Sequence, residues 1–156
     1  MTADPDGSST TDLQPDAADE RRDRQMMLPA AGQAAGLARR ATREALASWG
    51  LGYLEETAAL LVSELVGNAV RHARGGGSAL ELRLETVATW LRIEVLDADP
   101  RPPQPRTPGV LDDSGFGFVL VDALASKWGV RQTAGGKAVW AELDTELADE
   151  TREALN

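Results

Sequence analysis

The chain is expected to be an α+β protein: a two-layer sandwich in which a mixed, mostly antiparallel sheet carries helices on one face. Three observations lead there. Two apolar stretches of helical period come first, over about residues 31–49 and 54–73. Two runs that alternate apolar and charged side chains follow, Leu80, Leu82, Leu84 and then Leu91, Ile93, Val95. A third helical stretch and a glycine-turned pair of strands close the chain. Helices grouped ahead of hairpins suit helices laid on one face of a sheet better than alternating strand and helix units.

Each element has its own reason. Residues 1–25 are rich in Asp, Ser, Thr and Pro with almost no large apolar side chain, and a disordered tail is expected. Met26–Pro29 reads as a short opening strand, ended by its proline. Leu37, Ala38, Ala41, Ala45, Leu46 and Trp49 recur at helical spacing until Gly50 stops the helix. The next helix runs to Ala73, and Arg74 to Ser78 form a glycine-rich connection. Glu81, Arg83 and Glu85 oppose the leucines of their run, as Arg92 and Glu94 oppose theirs, so the pair reads as an antiparallel hairpin. Residues 98–114 hold five prolines, at 100, 102, 103, 105 and 108, and form a loop expected to act as a lid. A helix over about 117–127 buries Phe118, Val121 and Leu124. Residues 128–133 and 137–143 then pair across Ala134-Gly135-Gly136. The tryptophans at 49, 90, 128 and 140 read as packing residues, with Trp128 and Trp140 placed to cluster across the last hairpin.

Composition narrows the function classes. The 156 residues make one domain with tails, folded over 26–143. The net charge of -9 is concentrated at the ends: residues 1–25 and 144–156 carry -4 each, leaving -1 for the domain. Acidic tails favour solubility, and the domain has no basic stripe for nucleic acid. Without cysteine there is no disulfide framework and no thiol chemistry. No signal-peptide pattern and no apolar run near 18 residues is present, so a cytoplasmic protein that avoids membranes is expected.

The second helix carries the most chemistry. At 100° per residue, with Glu64 at zero, Asn68 lies at about 40° and His72 at about 80°. Leu61, Val62, Leu65, Val66, Ala69 and Val70 fill the arc from about 60° to 240°. A carboxylate and an amide thus border the buried stripe one turn apart. Asp97 continues the parity of Leu91, Ile93 and Val95, which points its carboxylate to the core face at the strand's end, where a charge needs a partner. Gly115 and Gly117 stand at a helix start, where close backbone approach and free amides favour anions. His72, the one histidine of the chain, reads as a packing or hydrogen-bonding residue.

Glu64-Leu-Val-Gly-Asn68-Ala-Val-Arg-His72-Ala, Asp97, the Gly115-Phe-Gly117-Phe118 stretch and Gly136-Lys137-Ala-Val-Trp140 occur in the order of the GHKL ATPases, the superfamily of gyrase and the histidine kinases. Over roughly residues 27–143 the chain resembles the small branch of anti-sigma-factor serine kinases and actinobacterial regulatory ATP-binding proteins. The resemblance implies a Bergerat-type fold that binds ATP and Mg2+. It makes Glu64 the general base and Asn68 the magnesium ligand. Asp97 would accept from the adenine amino group, and Gly115, Gly117, Phe118 and Lys137 would complete the nucleotide site. The implied activity is a serine/threonine kinase acting on an anti-anti-sigma (STAS-like) protein, with homodimerisation possible. The alternative is a nucleotide-gated switch that sequesters a sigma factor or another regulator. Three departures bear on the choice. Phe116 and the acidic Asp112-Asp113 stand where many relatives have arginine, with Arg101 or Arg106 as substitutes. Ala138 replaces a threonine near the adenine, and Asp99-Pro100 replace a glycine after the aspartate.

Overall fold

The computed structural model describes residues 21–72, 79–97 and 114–146, with side chains from Phe118 onward in the last segment. The tail to residue 20, the glycine-rich connection, the proline-rich loop with its expected lid role, and the segment after Glu146 lie outside the described residues.

Strand β1 (Arg22–Pro29) leads to helices α1 (Ala34–Ser48) and α2 (Glu55–His72), the latter opened by a single 3-10 turn at Gly52–Leu54. Strands β2 (Ala79–Val87) and β3 (Trp90–Asp97), helix α3 (Ser114–Leu124) and strands β4 (Lys127–Thr133) and β5 (Gly136–Asp144) follow. The five strands form one sheet in the order β1-β2-β3-β5-β4, and every neighbouring pair is antiparallel, so the sheet is not mixed. β1 starts earlier than the apolar residues announce. Arg22 to Gln25 pair with Thr86 to Arg83, and Arg21 closes on Glu85 at 2.9 Å. Backbone pairing and charge hold these four residues in the sheet, which shortens the expected tail.

The alternation in β2 and β3 sends Leu80, Leu82, Leu84, Leu91, Ile93 and Val95 to one face, all at most 1% exposed. Val139, Ala141 and Leu143 of β5 join them, and Leu61, Val62, Leu65 and Val66 of α2 fill the space above. Each of the leucines, valines and the isoleucine among them contributes about 1.5–3 kcal/mol on burial. The buried side of α1 is built of Ala34, Ala38, Ala41 and Ala45, whose small size lets α1 lie close on α2. Its end is a glycine-dependent cap. Gly50 has φ 72°, Leu51 N–H donates to the Leu46 carbonyl at 2.8 Å, and Leu51 packs onto the core.

The outer face of the sheet is charged. Arg92 binds Glu142 at 2.8 Å, Arg131 binds Glu94 at 2.6 Å, and Arg83 binds Glu81 at 2.9 Å. The hydrogen bond to Glu81 raises the Arg83 guanidinium above its ordinary value. Here the aromatic residues separate. Register pairs Trp128 with Ala141 and Gly129 with Trp140, so the two tryptophans take opposite faces and do not cluster. Trp128 meets Phe118 on the helix side, ring centroids 5.1 Å apart. Trp140 lies on the outer side under Arg92, 4.4 Å from its guanidinium carbon. Its indole covers Gly129, where an added Cβ would stand 2.8 Å from Cζ2. Gly129→Ala is therefore expected to destabilise the domain by about 1–3 kcal/mol through overpacking, read as a lower denaturation midpoint.

Candidate functional site

The first half of the site lies on α2, which packs against β3, β5 and α3. Asn68 is 5% exposed, although its neighbours on the buried side are Leu65 and Ala69. Its Oδ1 accepts from Arg71 Nη2 at 2.5 Å, while its Nδ2 is buried with no hydrogen-bond partner among the described residues. A buried amide left half-satisfied costs about 1–3 kcal/mol. Glu64 stands one turn earlier on the same border and is half-buried. Among the described residues no ion pair forms on its carboxylate.

Arg71 is the residue the sequence reading missed. Helical geometry places it about 20° from Glu64, between that residue and Gly67. Its side chain is exposed and turns back along the helix, so that a Cβ on Gly67 would sit 3.7 Å from Nη1. The guanidinium passes alongside Gly67, at ordinary contact distance for an added Cβ, and reaches over the buried amide. The same helical wheel that singled out Glu64 and Asn68 contained this signal.

The second half lies at the end of the β3–β5 ladder, where Asp97 pairs with Lys137. Both side chains face the helix layer, as the parity of Val95 and Val139 requires. They are nearly inaccessible, at 5% and 4% side-chain exposure, and Lys137 Nζ lies 3.5 Å from Asp97 Oδ2. A buried carboxylate and a buried ammonium each meet their need for a counter-charge in the other. Ala138 pairs with Leu96 on the opposite parity. The residue facing the aspartate is thus Lys137, and Ala138 lies on the other face of the sheet.

The remaining expected residues are placed as follows. Gly115 and Gly117 fall within the first turn of α3, which begins at Ser114 rather than after the glycines. That turn contains the amides that have no partner inside the helix. Phe118 is half-buried, with its ring against Trp128 and the core. His72 ends α2 and is half-buried. Lys127, expected to end the third helix, belongs to β4, where it pairs with Glu142 after Ser126 N–H has bonded the Glu142 carbonyl at 2.8 Å.

This donor set fits a magnesium nucleotide. An amide oxygen is a hard ligand of the kind a magnesium ion takes while keeping most of its waters. Among the described residues the Asn68 nitrogen, a donor, finds no acceptor, and an oxygen of a bound nucleotide would supply one. Asp97 and Lys137 together offer an acceptor and a donor on one face.

Among the described residues no helix is long and apolar enough to cross a membrane. Comparison with known proteins gives three findings. An uncharacterized protein of Streptomyces coelicolor is 37% identical over 84 residues, which cover 52% of this chain and 79% of that protein. The crystal structure of the RsbU and RsbW domains of Rv1364c from Mycobacterium tuberculosis superposes with a TM-score of 0.57 at 22% identity over 79% of this chain. That match spans only 32% of the mycobacterial chain, and it establishes a shared fold. A family model for the histidine kinase-like ATPase domain matches residues 28–143, from the end of β1 through the last core residue of β5. The chain belongs to the histidine kinase-like ATPase domain family.

Proposed function

We propose that this domain binds ATP with Mg2+ and acts as a serine/threonine kinase of the anti-sigma type on a STAS-like anti-anti-sigma partner. The observation that carries this reading is the α2 border. There a half-buried carboxylate, a buried amide with an unsatisfied nitrogen and an arginine lie within two turns. Bound Mg-ATP supplies the transferable phosphoryl group and a compact positive charge. The chain's own residues do the rest. Asn68 presents its oxygen to the ion, and Arg71 exchanges that oxygen for phosphate oxygens. This arginine provides the positive charge that Phe116 does not. Glu64 takes the proton from the partner's hydroxyl, a task suited to a carboxylate with no counter-ion among the described residues. Asp97 accepts from the amino group of the base, and Gly115, Gly117 and Phe118 bring the start of α3 to the phosphates.

The fold shared with a chain that contains an RsbW domain supports the choice of partner. One contact favours the second reading, a nucleotide-gated switch that sequesters a sigma factor: Arg71 holds the very oxygen the ion requires. An equilibrium between the two arrangements would make the site a sensor. The direct test is titration calorimetry with Mg-ATP at millimolar concentration, together with thermal unfolding. Heat of binding and a rise in melting temperature are expected, because a ligand that binds only the native state stabilises it. The absence of both effects at saturating nucleotide would overturn the assignment.

A further inference from the structure

We propose that the turn between α1 and α2 is a docking surface for the chain's own residues 147–156, which continue from Thr145 as an amphipathic helix. Two contacts of the described domain set this up. Asp144 Oδ1 accepts from the Glu146 N–H at 2.9 Å, the bond of a helix N-cap, and Thr145 and Glu146 have helical backbone. The Tyr53 hydroxyl donates to the Thr145 carbonyl at 3.0 Å, which ties the end of β5 to the α1–α2 turn. The same tyrosine lines an open recess of about 550 Å³, together with Ala47, Gly50 and Gly52. A Cβ added at Gly50 or Gly52 would meet nothing within 4 Å, so both glycines border open space.

The sequence supplies the matching stripe. At 100° per residue, with Leu147 at zero, Thr151 lies at about 40°, Leu155 at about 80°, Ala148 at about 100° and Ala154 at about 340°. Asp149, Glu153 and Glu150 fall between about 200° and 300°, on the opposite side. Two leucines and two alanines thus share one face, while the acids that charge this segment stay in water. A helix of about 12 residues is marginal in water on its own, so the stripe needs a surface against which to persist. The recess adjoins the residue at which the helix starts, and small side chains there admit close approach. The tether favours this segment over a second copy of the chain. A segment attached at Thr145 meets the recess at an effective concentration of about millimolar.

The test is amide hydrogen exchange on the full chain, on Gly52→Phe and on Leu155→Asp. The first substitution puts a ring where the described domain leaves open space, and the second puts a charge into the stripe. In the parent, the amides of residues 150–156 are expected to exchange roughly 10- to 100-fold more slowly than in an unstructured peptide, because docking buries two leucines. Either substitution should remove this protection and leave exchange in β3 and β5 unchanged. Leu155→Asp, which lies outside the domain core, decides the matter if Gly52→Phe does not fold. Unprotected amides in the parent, or protection that survives either substitution in a folded protein, overturns the proposal. Protection that appears only at concentrations where sedimentation shows a dimer also overturns it, and assigns the recess to a second copy.

Discussion

Glu64→Ala is expected to abolish phosphoryl transfer to a STAS-like partner while leaving nucleotide affinity nearly unchanged. General-base assistance contributes about 10²–10⁴-fold, so the loss would be plain in a radiolabel assay. The separation of effects follows from position. Glu64 lies a full turn from Asn68, and it is not part of the Asp97–Lys137 pair. Removing its carboxylate therefore leaves the groups proposed for metal and base in place. Transfer that survives the substitution would show that the proton is taken elsewhere. A parent protein that binds Mg-ATP and its partner, yet transfers nothing, would decide for the switch.

Asp97→Asn is expected to act twice. Adenine nucleotides should bind more weakly by on the order of 1–3 kcal/mol, because a charged acceptor becomes a neutral amide. The empty protein should also lose stability, by about 3–5 kcal/mol, because Lys137 is 3% exposed and its carboxylate partner is gone. Chemical denaturation separates this second effect from binding. Replacing both residues, Asp97→Asn with Lys137→Met, should recover most of the stability but none of the affinity. Asp97→Asn as stable as the parent would mean that the pair is not held as a buried ion pair. Unchanged affinity would remove Asp97 from the base site.

Much of this architecture could be read from local periodicity. Leu80, Leu82 and Leu84 announce their face, and the same parity carries Asp97 to the helix side. The border position of Glu64 and Asn68 follows from the helical repeat, and so does that of Arg71, which needed only the same angle applied three residues further on. Trp128 and Trp140 were also legible in principle. The two-residue turn Ala134–Gly135 pairs Thr133 with Gly136, and counting inward sets Trp140 opposite Gly129. Other features had no local signal. Arg22 to Gln25 show no apolar pattern, because an edge strand held by backbone pairing and surface charge does not require one. Two glycines disfavour a helix, so the start of α3 at Ser114 depends on its tertiary setting. The meeting of Asp97 with Lys137 depends on the register between strands that are not consecutive in the chain.

That non-consecutive pairing has a kinetic side. The β2–β3 and β4–β5 hairpins each close through two residues and belong to the class that forms in about 1–10 μs. Joining β3 to β5 instead brings together segments separated by roughly forty residues, so much chain entropy is lost before any contact is gained. The Asp97–Lys137 rung is the step of that ladder nearest the intervening chain. A ligand gripping this rung acts on an arrangement that exists only once the slow closure is complete. Its binding energy therefore prolongs the lifetime of the folded molecule and does little to hasten its formation.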